Sequence, residues 1–123
     1  MTTLDVYYYP KCGTCRKALK HLQTAGYELR LHDLFEQAPS AGEIREWLER
    51  SGLEAKAFFN TSGEVYREQG LKDKLPKMDE ADKIASLAGN GRLVKRPVVT
   101  DGTKLTVGYK EAEYNRVWPA TGM

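Results

Sequence analysis

Apolar and polar positions alternate in two stretches near the start of the chain. Leu4-Asp5-Val6-Tyr7-Tyr8-Tyr9 is β-branched and aromatic and halts at Pro10, which predicts a strand. Glu28-Leu29-Arg30-Leu31-His32-Asp33-Leu34 alternates with period two and predicts a second strand. Between them Cys15, Ala18, Leu19, Leu22 and Ala25 recur at helical spacing, with Arg16, Lys17, Lys20, Gln23 and Thr24 on the other faces and Gly26 as the stop. Strand, helix and strand within about thirty residues form a βαβ unit, so the two strands should be parallel with a right-handed crossover.

The pattern then turns helical. Ser40 and Glu43 make a capping box ahead of Ile44, Trp47 and Leu48, with Trp47 on the buried face, and Ser51-Gly52 closes that helix. Short helical pieces follow around residues 55–59, 64–69 and 79–88, punctuated by Pro76 and Gly89-Asn90-Gly91. Val98-Val99-Thr100 and Lys104-Leu105-Thr106-Val107 flank Asp101-Gly102, a strong hairpin signal. A last helix over residues 110–118 would bury Tyr114, Val117 and Trp118; Tyr8, Tyr9, Phe58 and Phe59 also read as core. This order predicts an α/β chain with a thioredoxin-like fold, a βαβ plus ββα core with a helical insertion in its middle. The expected organisation is one domain over residues 1–123, with core segments 1–37 and 92–123 and the insertion over about 38–91.

Composition narrows the class without naming a function. A chain of 123 residues is long enough to bury a core, and 11 glycines with 5 prolines exclude collagen-like and low-complexity chains. No apolar run approaches the roughly 20 residues that span a membrane. Met1-Thr2-Thr3-Leu4-Asp5 lacks the basic and apolar regions of a secretory signal, so a cytoplasmic protein is expected. The net charge of +2 hides a segregation: residues 1–27 carry four bases and one acid, residues 28–54 three bases and seven acids, and residues 92–110 five bases and one acid. If the fold joins the two basic stretches, an electropositive site results; the competing reading is solvated surface lysines. So small a net charge gives no ground to expect direct nucleic-acid binding.

The candidate chemistry is Cys12-Gly13-Thr14-Cys15. Cys12 should sit in the loop entering the first helix, where free N–H groups and the helix dipole favour a thiolate, with Lys11 and Arg16 adding positive charge. Cys15 falls near the same helical face, close enough to close a redox-active disulfide. Cys12 is the expected attacker and Cys15 the resolving thiol. Zinc would need four ligands, and the chain has two Cys and two His, with His21 about 240° around the helix from Cys15, so no metal and no cofactor are expected. A static disulfide and an inert relic of a redox ancestor remain as competing readings. Arg96-Pro97 precedes the third strand, where a thioredoxin-type fold places a structural cis-proline against the dithiol; Arg96 should then project beside Cys12.

Tyr9-Pro10-Lys11-Cys12-Gly13-Thr14-Cys15-Arg16-Lys17-Ala18, Lys95-Arg96-Pro97 and Thr106-Val107-Gly108-Tyr109-Lys110-Glu111 resemble the arsenate reductase/Spx (ArsC-like) family, in order and over nearly the whole chain. The likeness is greatest to members with Cys-Gly-Thr-Cys and Phe-Phe-Asn-Thr-Ser-Gly. The resemblance implies a thiol-based redox protein, an oxidoreductase in one branch of the family and a redox-sensing regulator in the other. In the glutaredoxin-linked arsenate reductases one cysteine, matching Cys12, attacks an oxyanion held by three arginines. Here Arg96 matches the second of those arginines, Asn60 stands at the first, and Thr106-Val107-Gly108 supplies no third. Losing two charge-assisted contacts should weaken oxyanion binding by roughly several kcal/mol. The Spx branch consists of redox-sensing transcription regulators that bind the RNA polymerase α subunit, through a glycine that falls near Gly52, which also reads as a helix C-cap. The few residues after Trp118 do not match that branch's longer basic C-terminal extension, so a full Spx role is not expected.

The reading that joins residues and resemblance is a thiol–disulfide redox protein acting on a disulfide or oxidised substrate, with thioredoxin or glutaredoxin as the expected reductant. Arg96, the backbone amides of Gly13 and Thr14, Arg16 and Asn60 are the candidate thiolate- or anion-binding groups, with Thr61 beside Asn60 at the rim.

Overall fold

A computed structural model of the chain describes residues 2–121; Met1, Gly122 and Met123, where the outer limits of the expected domain fall, lie outside the described residues. In chain order the elements are β1 (Thr3–Tyr8), α1 (Gly13–Thr24), β2 (Glu28–Asp33), α2 (Ala41–Ser51), α3 (Glu64–Glu68), α4 (Leu71–Lys74), α5 (Glu80–Leu87), β3 (Val98–Thr100), β4 (Leu105–Val107) and α6 (Glu111–Val117). Short 3-10 turns at Ala55–Phe58, Leu75–Lys77 and Gly91–Leu93 link the helices.

The chain divides into two compact units, Met1–Asp33 with Arg96–Met123, and Leu34–Lys95. The first holds a four-stranded sheet in the order β2-β1-β3-β4. β1 and β2 are parallel, with Leu4 opposite Leu29 and Val6 opposite Leu31, as a helical crossover through α1 requires. β1–β3 and β3–β4 are antiparallel, with Val6 opposite Val99 and Val99 opposite Thr106. This is the thioredoxin-like βαβ plus ββα arrangement.

Period-two alternation puts Leu4, Val6 and Val99 on one face of the sheet. There they meet Ala18 and Leu22 of α1 and Tyr114 and Trp118 at α6, none more than 1% exposed. Burying each large side chain of this kind stabilises the unit by roughly 1.5–3 kcal/mol. The polar tips in this core are satisfied: the Trp118 indole N–H donates to Thr106 Oγ1 at 3.0 Å, and the Tyr114 hydroxyl donates to the Gly108 carbonyl at 3.0 Å.

The β3–β4 connection is one residue longer than the expected strands leave, because β4 begins at Leu105 and not at Lys104. Residues 101–104 form the loop, with Asp101 Oδ1 accepting from the backbone N–H groups of Thr103 and Lys104 at 2.9 Å and Gly102 at φ 99°. Asp101 thus organises the turn through its side chain, and Lys104 is drawn out of the expected strand.

In the second unit Ser40 and Glu43 form the capping box of α2, and Ile44 and Trp47 are its buried residues. Trp47 stacks on Phe58 with ring centroids 6.0 Å apart. The ends of the unit are tied in by backbone pairing: Lys95 N–H donates to Phe58 O at 2.7 Å, and Phe59 bridges Val94. Gly91 lies directly against the Leu34 carbonyl, where any Cβ would collide.

Candidate active site

β1 ends at Tyr8, and Tyr9 and Pro10 turn the chain into α1. Cys12 is the N-cap of α1, with extended backbone at φ −90° and ψ 121° and no side-chain cap bond of its own. Its carbonyl accepts the first helical bond from Arg16 N–H at 3.1 Å, while its own N–H donates to Tyr9 O at 3.1 Å. Cys12 is half-buried and Cys15, one turn in, is fully buried; both are free thiols, so the disulfide expected of the redox centre is not formed.

Three donors converge on the Cys12 sulfur. Partial burial pushes this thiol up, but the Cys15 backbone N–H, the Cys15 thiol and the Arg96 guanidinium all favour the thiolate, and the net result lies below the free-thiol range. Cys15 is displaced the other way. Burial pushes its thiol up to about 12; the Tyr9 backbone amide pulls in the opposite direction, and the neighbouring Cys12 adds to the rise. The two thiols are therefore displaced in opposite directions, Cys12 towards the thiolate and Cys15 towards the protonated form.

Arg96 reaches this place because β3 begins next to β1. The Arg96–Pro97 peptide ahead of β3 is cis. Its guanidinium carbon lies 5.6 Å from the centroid of the Tyr9 ring. Tyr9, expected in the core as an aromatic residue, is only partly buried and meets the site on three counts, with its ring, its N–H and its carbonyl. The pattern of apolar positions held no signal for this, although its place just before Pro10 at the mouth of the Cys-Gly-Thr-Cys loop did.

The other candidates fall as follows. The backbone N–H that favours the Cys12 thiolate is that of Cys15, where the amides of Gly13 and Thr14 were the expected ones. Arg16 is exposed, and its Nε donates to Pro10 O at 3.2 Å, holding the loop instead of facing the thiols. Asn60 and Thr61 lie in the second unit, where Asn60 N–H donates to Leu93 O at 2.7 Å and its carbonyl accepts from Gly63 N–H at 3.2 Å. Gly52 is the left-handed C-cap of α2 at φ 71°. His21 Nδ1 is hydrogen-bonded to the Tyr109 hydroxyl at 3.0 Å. Among the described residues no cluster of three or more His, Cys, Asp or Glu could hold a metal, and no helix is long and apolar enough to cross a membrane.

Comparison with known proteins places this site in a lineage. The model of the ArsC family matches residues 7–117. The Bacillus subtilis protein YusI is 50% identical over 116 residues, covering 94% of this chain and 98% of that protein. The global transcriptional regulator Spx 1 of Oceanobacillus iheyensis is 30% identical over 119 residues, covering 96% and 88%. An arsenate reductase of Escherichia coli is 29% identical over 107 residues, covering 85% and 74%. Among solved structures, an ArsC-family-related protein of Bacteroides fragilis has a TM-score of 0.88 at 42% identity, covering 92% of this chain and 95% of that one. With thiol chemistry built into one end of a thioredoxin-like sheet, and with matches that run almost from end to end, this chain belongs to the ArsC family.

Proposed function

We propose that the protein is a dithiol oxidoreductase in which Cys12 attacks a disulfide and Cys15 resolves the intermediate. The observation that carries this reading is the hydrogen-bonded thiol pair at the start of α1, with the two acidities displaced in opposite directions. In the first step Cys12 thiolate attacks one sulfur of the substrate. A mixed disulfide forms, the substrate S–S bond breaks, and the other half leaves as a thiolate that takes up a proton. That step also removes the negative charge of Cys12 from beside Cys15. Arg96, which favours the thiolate of Cys15 as well, is then left facing one sulfur. Cys15 gives its proton to the departing thiolate and attacks Cys12 Sγ, releasing the second half of the substrate. Two electrons have moved: the substrate is reduced, and Cys12 and Cys15 are joined. A dithiol reductant of the thioredoxin or glutaredoxin class returns the electrons.

The test is a single-turnover reaction of the reduced protein with a small disulfide, with intermediates trapped by acid and weighed by mass spectrometry. Cys12→Ser should abolish the reaction, and Cys15→Ser should stop it at the mixed disulfide. Release of both substrate halves by Cys15→Ser at the normal rate would remove Cys15 from the mechanism.

A second reading is supported by the guanidinium beside Cys12: reduction of arsenate. Cys12 would displace hydroxide from arsenic to form an S–As bond. Attack of Cys15 on Cys12 Sγ would then break that bond, leaving the electron pair on arsenic and releasing arsenite. Arsenate turnover with a thioredoxin or glutaredoxin system decides between the two substrates, with a loss in Arg96→Leu far larger than that variant's loss of Cys12 alkylation rate as the signature of an oxyanion held there.

A further inference from the structure

α1, with the sequence GTCRKALKHLQT, contains no acidic residue. Arg16, Lys17 and Lys20 are exposed along it, and Lys11 is exposed just ahead of it. The ion pairs Arg30–Asp5, His32–Asp5 and Arg50–Glu46 lie elsewhere, and among the described residues none of these four bases is seen paired with a carboxylate. The helix dipole gives them no reason to be there either: cations in the first turns face its positive end and cost stability. The strip is also shaped. Lys17 and Lys20 form one wall of a cleft of about 720 Å³ whose other wall includes Tyr109, Glu111 and Asn115, with His21 between. Glu111 is its single carboxylate, set against two lysines.

The strip starts at the reactive sulfur. Lys20 lies eight residues beyond Cys12, roughly 12 Å along the helix at 1.5 Å per residue. An extended peptide covers that distance in about four residues. We propose that this face is the docking surface for an acidic, disulfide-bearing protein segment, which lays its carboxylates along Arg16, Lys17 and Lys20 and presents its sulfur to Cys12. The inference rests on Cys12 as the attacking thiol and adds the substrate class: a cysteine with Asp or Glu within about four residues on one side. Neutral small disulfides react without this recognition, and basic segments are repelled.

The test uses the reduced full-length protein in single-turnover reactions with three probes: 4,4′-dithiodipyridine, which is uncharged, and the disulfide-linked homodimers of an acidic and of a basic cysteine peptide of equal length. The expected result at low ionic strength is a preference for the acidic over the basic peptide of about tenfold or more, vanishing at high salt as the Debye length contracts. In Lys17→Gln/Lys20→Gln the ratio should fall towards one, and in Lys17→Glu/Lys20→Glu it should invert. Equal rates for the two peptides at low salt would overturn the docking surface while leaving the dithiol reading intact. So would a preference that survives charge reversal. Failure to react with dithiodipyridine itself would overturn the attacking role of Cys12, and the docking proposal with it.

Discussion

The guanidinium of Arg96 lies over the ring of Tyr9, 5.6 Å from its centroid, while the same residue hydrogen-bonds the sulfur of Cys12. The ring acts as a shelf: it restricts a long, flexible side chain to the orientation in which its charge meets the thiolate. Tyr9→Phe keeps the shelf and should leave Cys12 as reactive as before. Tyr9→Leu removes it and should slow alkylation of Cys12 at neutral pH by about two- to fivefold, as loss of a cation–π contact implies. Iodoacetamide kinetics on the two variants check this; equal slowing in both would assign the effect to the hydroxyl instead.

Alkylation should also report the acidity of Cys12 directly. Thiolate is the reacting species, so the rate should rise with pH through an inflection below that of a free cysteine, because three donors outweigh partial burial. Arg96→Leu should move the inflection upwards and lower the rate at neutral pH by roughly tenfold. Thiolate absorbance near the ultraviolet edge, followed through the same titration, gives an independent reading.

Asp5 supplies a pH dependence of stability away from the thiols. Partial burial raises its pKa, but hydrogen bonds from Arg30 and His32 and their charges outweigh it, so its folded value lies below the usual carboxylate one. A carboxylate depressed in the folded state contributes stability that is present above its unfolded value and lost as pH falls through its folded value. Asp5→Asn should therefore be less stable than the natural protein at neutral pH, with the difference closing below about pH 4. Urea denaturation of both proteins across that range checks the sign.

Gly91 should tolerate no side chain. A Cβ built there runs into the backbone carbonyl of Leu34, which is itself buried, so neither partner has room to yield. Gly91→Ala should cost about 3 kcal/mol or more, at the upper end of overpacking effects. Gly52→Ala, at an open position in the left-handed region, should cost only about 1–2 kcal/mol. Chemical denaturation of the pair separates collision from backbone strain.

Features whose cause is local were readable in the sequence. The capping box at Ser40 and Glu43, the alternation of Leu4 and Val6, and the helical recurrence of Cys15, Ala18 and Leu22 each carry their own signature within a turn or two. α4 was not readable: it is a four-residue turn, too short for a period to show, and depends on Gly70 taking φ 63°. The hairpin loop is one residue longer than the strand pattern predicts because Asp101 uses its side chain, which a dipeptide signal does not reveal. In the site, the two cysteines and the arginine were legible as residue types. The donor to Cys12 was not, because it depends on which backbone amide faces an N-cap sulfur, and neither was Tyr9, whose role exists only once a residue 87 positions away has been folded against it.

The first compact unit is interrupted in sequence: the chain leaves it at Asp33 and re-enters at Arg96. On the ribosome, therefore, both thiols leave the exit tunnel more than eighty residues before the guanidinium that acidifies one of them. Until β3 is made, the Cys12 of a nascent chain lacks its cationic neighbour, and its oxidation is less favoured than in the finished molecule. The segment order thus leaves both thiols without their cationic neighbour until the stretch that begins at Arg96 has been made.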